Sequence, residues 1–408
     1  MKTALLALVC LSLIFATASA QGIVVPGDAD GDMIVSDEEL RLAEQSYSEG
    51  KTTSDELEEI RHIHDDYPKT IVDSADQEVT IYKPLKRVVI AYWIDAATTL
   101  QALNAEDIVI GVTQVIANDK QLFPELSTLP VVGDRPRVDR LDYEAILELE
   151  PDVIITGGAA STYDEIQRKV QSMNPNVAVL RFDYCVPSSY LEEVNKTGYL
   201  LDRNDEAKEL IDFIDDHLTQ IEETVRKIPS DERAQVYVEV MADYTTGGKG
   251  TACDEFIETA GGDNVFGDIT ADSVVDKLVV DPEEVIKRNP DIVICQLGSA
   301  YSGKKSYECD DTSAFREKRE EILNRSGFEY ITAIKNGDVY IFDSNILLQA
   351  NYFVGIAYYA KCFYPDYFQD LDPKAIHQEY LSKFLGIDYE LNKHGVFVYH
   401  PEHYPDGR

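Results

Sequence analysis

Two stretches of this chain repeat one another at matched spacing: "LDYEAILELEPDVIITGG", residues 141–158, and "VDPEEVIKRNPDIVICQLG", residues 280–298. Each reads as an acidic helix, then Pro-Asp, then an apolar strand ending near glycine. Glu144 stands seven residues before Pro151, and Glu283 stands seven before Pro290. A helix feeding a continuous β-branched run is the unit of a parallel sheet buried on both faces. Other segments extend each copy. "RVVIAY" (87–92) reads as a strand, and "DAATTLQALNAEDIVIGVT" as helix, turn and strand. "AQVYVEV" (234–240) reads as a strand, and "ACDEFIETAGGDNVF" as a helix closed by Gly261-Gly262.

Between the copies, Leu210, Ile214, Leu218, Ile221, Val225 and Ile228 recur at helical spacing, and Pro229 ends the run. The stripe predicts one helix of about six turns. The expected fold is α/β: two Rossmann-like α/β lobes joined by a single long helix, with a cleft between them.

The ends carry other signals. Lys2, the apolar run Ala4 to Phe15 and Ala18-Ser19-Ala20 form an export signal over residues 1–20. Cys10 lies inside that run with no small-residue lipobox before it, and no later run is long and apolar enough to span a bilayer. The expectation is an exported, soluble chain: extracellular, cell-surface or periplasmic. A net charge of -38 argues against nucleic acid and anionic membrane surfaces as partners. Five further cysteines, Cys185, Cys253, Cys295, Cys309 and Cys362, show no CxxC spacing. This argues against a zinc site and against a small disulfide scaffold; one or two bridges stay open, with Cys295 and Cys309 the nearest pair. Asn195-Lys-Thr and Asn324-Arg-Ser are glycosylation sequons. Neither GxSxG, HExxH nor a P-loop occurs, so the expectation is no enzyme and no catalytic cofactor.

"DADGDMIVSDEE", residues 28–39, has the oxygen spacing of a calcium loop. Asp28, Asp30 and Asp32 fill positions 1, 3 and 5; Ile34 offers a carbonyl at 7, Ser36 sits at 9, and Glu39 at 12. Position 6, where the sharp turn favours glycine, is Met33. Two helical patterns follow, the second with Ser54 as its cap. Residues 23–67 resemble half of an EF-hand pair, or a dockerin-like module. The resemblance implies calcium as a bound cofactor and offers the N-terminal module to a cohesin-like or surface partner.

The larger part resembles the substrate-binding proteins of ABC importers for iron-siderophores, haem and cobalamin. The matching stretches are "KRVVIAYWIDAATTLQALNAEDIVIGVT", "LPVVGDRPRVDRLDYEAILELEPDVII", "YTTGGKGTACDEFIETAGGDNVFGD", "VDPEEVIKRNPDIVI" and "AIKNGDVYIFD". The implied organisation is a binding lobe over 75–195, a backbone helix over 200–229, a second lobe over 233–365 and a helical extension over 366–408. The resemblance implies an ABC permease and its ATPase as partners, with Glu144 and Glu283 as one docking carboxylate per lobe.

Ligands of open α/β sheets sit beyond the carboxyl ends of the strands. That rule selects Tyr92, Trp93, Arg135, Arg137, Tyr244, Thr245, Lys249, Gln296, Tyr301, Gln349, Asn351 and Tyr352. Aromatics and a few cations suit a large anionic chelate better than a bare metal ion. The competing reading is a calcium-dependent surface scaffold or adhesion protein that uses the two lobes without transport.

Overall fold

The computed structural model describes residues 22–158, 161–272, 277–298, 306–347 and 350–408. The chain divides into two compact units, one ending at Pro68 and one beginning at Lys69.

The first unit is a loop and two helices, Asp37–Ser48 and Ser54–Asp66. Both start in a capping box, Ser36 with Glu39 and Thr53 with Glu56, so the second cap is Thr53, one residue before the Ser54 expected. Val25, Val35, Leu57 and Ile63 are its buried apolar side chains. Gly27 has φ +92, and a Cβ there would lie 2.8 Å from Ile60 Cγ2, so the backbone passes close against the second helix.

The second unit holds two sheets built on one plan. In the first, four parallel strands lie in the order Val109–Val112, Val88–Ile90, Val153–Gly157, Ala178–Phe182. The second orders Asp263–Asn264, Gln235–Val240, Ile292–Leu297 and Val339–Asp343 in the same way, all parallel. Numbered along the chain within each sheet, both orders are 2-1-3-4. Val398–Tyr399 adds an antiparallel edge to the second sheet.

The repeat has a physical basis. Asp152 Oδ2 accepts the Lys86 backbone N–H at 3.0 Å, and Asp291 Oδ2 accepts that of Gln235 at 3.0 Å. Each Pro-Asp carboxylate therefore clamps the start of strand three to the start of strand one. The residues before the two prolines, Glu150 and Asn289, both turn through the left-handed region at φ 46 and 47. Asp142 and Asp281 cap the helices that precede them.

Helices Tyr143–Glu148 and Ser161–Met173 pack on the first sheet through Ile146, Ile166 and Val170 against Val89, Ile154 and Val179. Phe315 and Ile322 of helix Ser313–Leu323 do the same against Tyr237, Val293 and Ile341. The chain leaves the first sheet through helix Pro187–Leu200 and reaches the second through helix Asn204–Val225. The latter is about 33 Å long and buries Leu210, Phe213, Ile214, Ile221 and Val225. A Cβ on Gly198 would meet Ala207 Cβ at 2.4 Å, so glycine lets these two helices touch.

Three expectations need correction. Residues 69–74 are part of the second unit: Lys69–Val72 pairs antiparallel with Glu78–Ile81, and Lys69 Nζ donates to the Tyr199 carbonyl at 2.7 Å. The extension after 366 is not only helical, because helix Pro373–Glu379 and the wide turn Tyr380–Phe384 lead to the edge strand of the second sheet. The cysteines from Cys185 onward are free thiols; Cys295 and Cys309 share one apolar cluster without a bridge. No helix among the described residues is long and apolar enough to cross a membrane.

Candidate functional site

In a sheet of order 2-1-3-4, the chain leaves strands one and three toward opposite sides. A crevice opens beyond their carboxyl ends. In the first sheet the residues there are Tyr92 and Trp93 on one side and Gly157 on the other. Tyr92 is buried and meets the Tyr163 ring edge-on at 5.6 Å. Both rings rest on Gly157, where a Cβ would lie 2.3 Å from Tyr163 and 2.6 Å from Tyr92. Trp93 stays 36% exposed, and its side chain hydrogen-bonds to Tyr163. The Tyr163 hydroxyl is pushed up to about 12, chiefly by burial. Tyr92 Oη lies 3.7 Å from Cys185 Sγ, whose thiol burial pushes up to about 12.

The second sheet repeats the arrangement with other residues. Met241 follows strand one with φ 62 and is 39% exposed. Gly298 follows strand three, and a Cβ there would lie 3.2 Å from Met241 Cε. Each crevice thus pairs a glycine with a large, partly exposed apolar side chain. Sequence reasoning missed Tyr163 and Met241. The first lies within a helix, and the second precedes the polar run chosen instead.

Tyr244, at φ 54, is fixed from beneath. Its N–H donates to buried Glu239 at 3.0 Å, and the Arg325 guanidinium sits 4.6 Å from its ring centre. Arg325 also pairs with Glu239 and Asp243. Thr245 pairs with Val279 in a short ladder, and Lys249 is exposed. Arg135 and Arg137 are exposed in one loop. Arg137 Nε lies 3.4 Å from Asp139, while Arg135 has no carboxylate within 4.0 Å among the described residues.

Gln296 lies inside strand three rather than after it. It is 1% exposed on the face covered by helix Tyr352–Phe363, and its Nε2 donates to Tyr359 Oη at 2.9 Å. Asn351 and Tyr352 are also buried; Tyr352 packs between Tyr190 of the first lobe and Phe256 of the second. Tyr301 and Gln349 lie outside the described residues.

Glu144 and Glu283 are each the second residue of a short helix, exposed and without a cation within 4.0 Å among the described residues. The neighbouring Glu284 differs, since Lys287 and Arg288 hold it.

In the first unit, carboxylate oxygens of Asp28, Asp30 and Asp32 lie within 4.8 Å of one another. Met33 takes φ 69, supplying the turn that glycine usually makes. The three carboxylates fit an oxygen-seeking cation. Glu39 is engaged differently: it accepts the N–H groups of Ser36 and Ala29, which hold its carboxyl at about 2. His64 bridges Asp37 and Asp65 at 2.9 and 2.7 Å.

Residues 89–346 match the model of the family described as Periplasmic binding protein. The chain is 26% identical over 74% of its length to the ABC transporter substrate-binding lipoprotein YvrC of Bacillus subtilis, covering 88% of that protein. It is 22% identical over 79% of its length to the molybdate-binding protein MolA of Haemophilus influenzae, covering 92% of it. Among solved structures, the TroA-like periplasmic binding protein FepB of Veillonella parvula superposes with a TM-score of 0.68 at 23% identity, over 82% of this chain and 99% of that one. The chain belongs to the periplasmic binding protein family, and it is an ABC-transporter substrate-binding protein with the TroA-like fold.

Asp95 begins the helix after Trp93. It is buried, its Oδ1 has no hydrogen-bond partner, and burial raises its carboxyl to about 7. The unfolded chain releases this proton near pH 4 while the folded chain holds it, so stability falls as pH rises from about 4 to about 7. Asp95→Asn removes that loss. Its stability advantage over the wild type should widen by about 3 kcal/mol between pH 4.5 and pH 7.5 in urea titrations. A difference independent of pH would show that Asp95 titrates normally.

Proposed function

We propose that this protein is exported and captures a chelated metal, an iron-siderophore, haem or cobalamin, between its two lobes for delivery to an ABC permease and its ATPase. The observation that carries this reading is the pair of equivalent crevices, one presenting Trp93 and the other Met241. Large apolar side chains left open to water at both switch points suit a ligand with a broad apolar or aromatic face. Arg135, exposed and free of carboxylate partners among the described residues, suits a ligand that also carries negative charge. Tyr92 and Tyr163 support Trp93 from behind, and the Glu239–Arg325 pair supports Tyr244.

Glu144 and Glu283 are the docking groups of this reading. They occupy the same position in the repeated unit, each in the first turn of its helix and free to meet a cation on another protein. Such rim charges set orientation and association rate more than affinity. Glu144→Lys combined with Glu283→Lys should reduce ligand uptake by cells at least tenfold while ligand affinity measured on the purified protein changes less than twofold. Equal loss of affinity would contradict the assignment.

The Asp28–Glu39 loop gives a second role, calcium binding by Asp28, Asp30, Asp32, the Ile34 carbonyl, Ser36 and Glu39. Calcium there would fix the first unit as a module for attachment to a surface or cohesin-like partner. Alone, that role would make the protein a calcium-dependent scaffold; the three converging carboxylates favour it. Asp28→Asn combined with Asp30→Asn should lower the calcium bound per chain by one equivalent in equilibrium dialysis, and an unchanged count rules the loop out.

A further inference from the structure

The first lobe and the C-terminal extension meet at Leu385 and Gly386. A cavity of about 140 Å³ lies there, walled by Gln101, Glu106, Phe123, Glu125, Leu385 and Gly386 among others. Gln101 stands on helix Ile94–Ala102 and is only 9% exposed. Its Nε2 donates to the Leu385 carbonyl at 2.7 Å, while its Oε1 is buried and has no partner among the described residues. Glu106 brings a second such atom, since its Oε2 is also buried and without a partner among the described residues. Glu125 adds another carboxylate at the exposed rim. No Lys, Arg or His lines this cavity, and neither glutamate has a cation within 4.0 Å among the described residues.

Buried acceptors without donors are costly, and native proteins satisfy them. Here the Gln101 amide oxygen and the Glu106 carboxylate line one cavity with the Glu125 carboxylate, and its lining residues bring no nitrogen or sulfur ligand. Oxygen-only donor sets select hard cations, and two carboxylates balance a divalent one. The volume admits an ion together with a few waters. We infer that this cavity binds a hydrated divalent cation of the calcium type, held by Glu106, Glu125 and the Gln101 amide oxygen. This site is separate from the Asp28–Glu39 loop and from the crevices at the strand ends.

The test is calcium binding to the full chain by equilibrium dialysis. Combining Glu106→Gln with Glu125→Gln should lower the count by one equivalent, in the wild-type background and equally in the Asp28→Asn, Asp30→Asn background. Glu125→Gln alone, at an exposed position that leaves the fold intact, should weaken one equivalent about tenfold. An unchanged count in the double variant, or unchanged affinity in Glu125→Gln, overturns the proposal, as does a loop-silenced chain that binds no calcium.

Discussion

The carboxylate of the repeated Pro-Asp holds each lobe in order. Asp152 and Asp291 reach across to the first backbone N–H groups of the neighbouring strand and fix where strands one and three begin. Hydrogen bonds to a charged acceptor are among the stronger ones a protein makes. These bonds set the register of strands one and three, and the 2-1-3-4 order sends the chain away from their ends in opposite directions. The crevice, the glycine beneath it and the side chain beside it follow from that constraint. Gly157 is needed because Tyr92 and Tyr163 occupy the space a Cβ would take, and at Gly298 a Cβ would press on the end of Met241.

The buried polar groups set the stiffness of this frame. Glu239 is 1% exposed and accepts from Arg325, the Tyr237 hydroxyl and the Tyr244 amide, so a charge inside the second lobe positions a residue at its mouth. Removing either partner of a buried pair leaves an uncompensated charge, which costs more than the pair itself contributes. On the first lobe a buried acid, Asp95, stands in the helix after strand one; it has no cation within 4.0 Å among the described residues, and burial raises its carboxyl to about 7. The two lobes share a topology and use different chemistry to support their crevices.

Much of this was legible in the sequence. The matched Glu and Pro-Asp positions identified a duplicated helix-strand unit; the apolar stripe from Leu210 to Ile228 suggested one helix over 200–229, whereas the helix spans Asn204–Val225 and follows a second one, Pro187–Leu200. Other features were hidden for physical reasons. Lys69–Val72 is only four residues long and stands beside the boundary between the units, so the sequence assigned it to neither. Gln296 was read as following the strand, yet strand Ile292–Leu297 runs past it and Tyr359 covers its side chain. Met241 was passed over because one apolar residue before a polar turn carries no periodic signal. Tyr163 stands in an amphipathic helix, and only the packing on Gly157 shows which way its ring turns. Gln101 and Glu106 are near neighbours along the chain, but the cavity they line exists only through the fold, since Leu385 and Gly386, which complete its wall, lie far from them in sequence.

The central claim is that the crevices at the strand ends take a chelate. Trp93 is the chain's single tryptophan and stands at one of them, so its fluorescence reports that place and no other. The most direct measurement is a titration of the protein with ferric hydroxamate, ferric catecholate, ferric citrate, haemin and cobalamin, with free metal salts as controls. The account predicts saturable quenching of Trp93 by one chelate at sub-micromolar concentration and no response to the free metals. Silence across the panel, with no heat of binding by calorimetry, would contradict it.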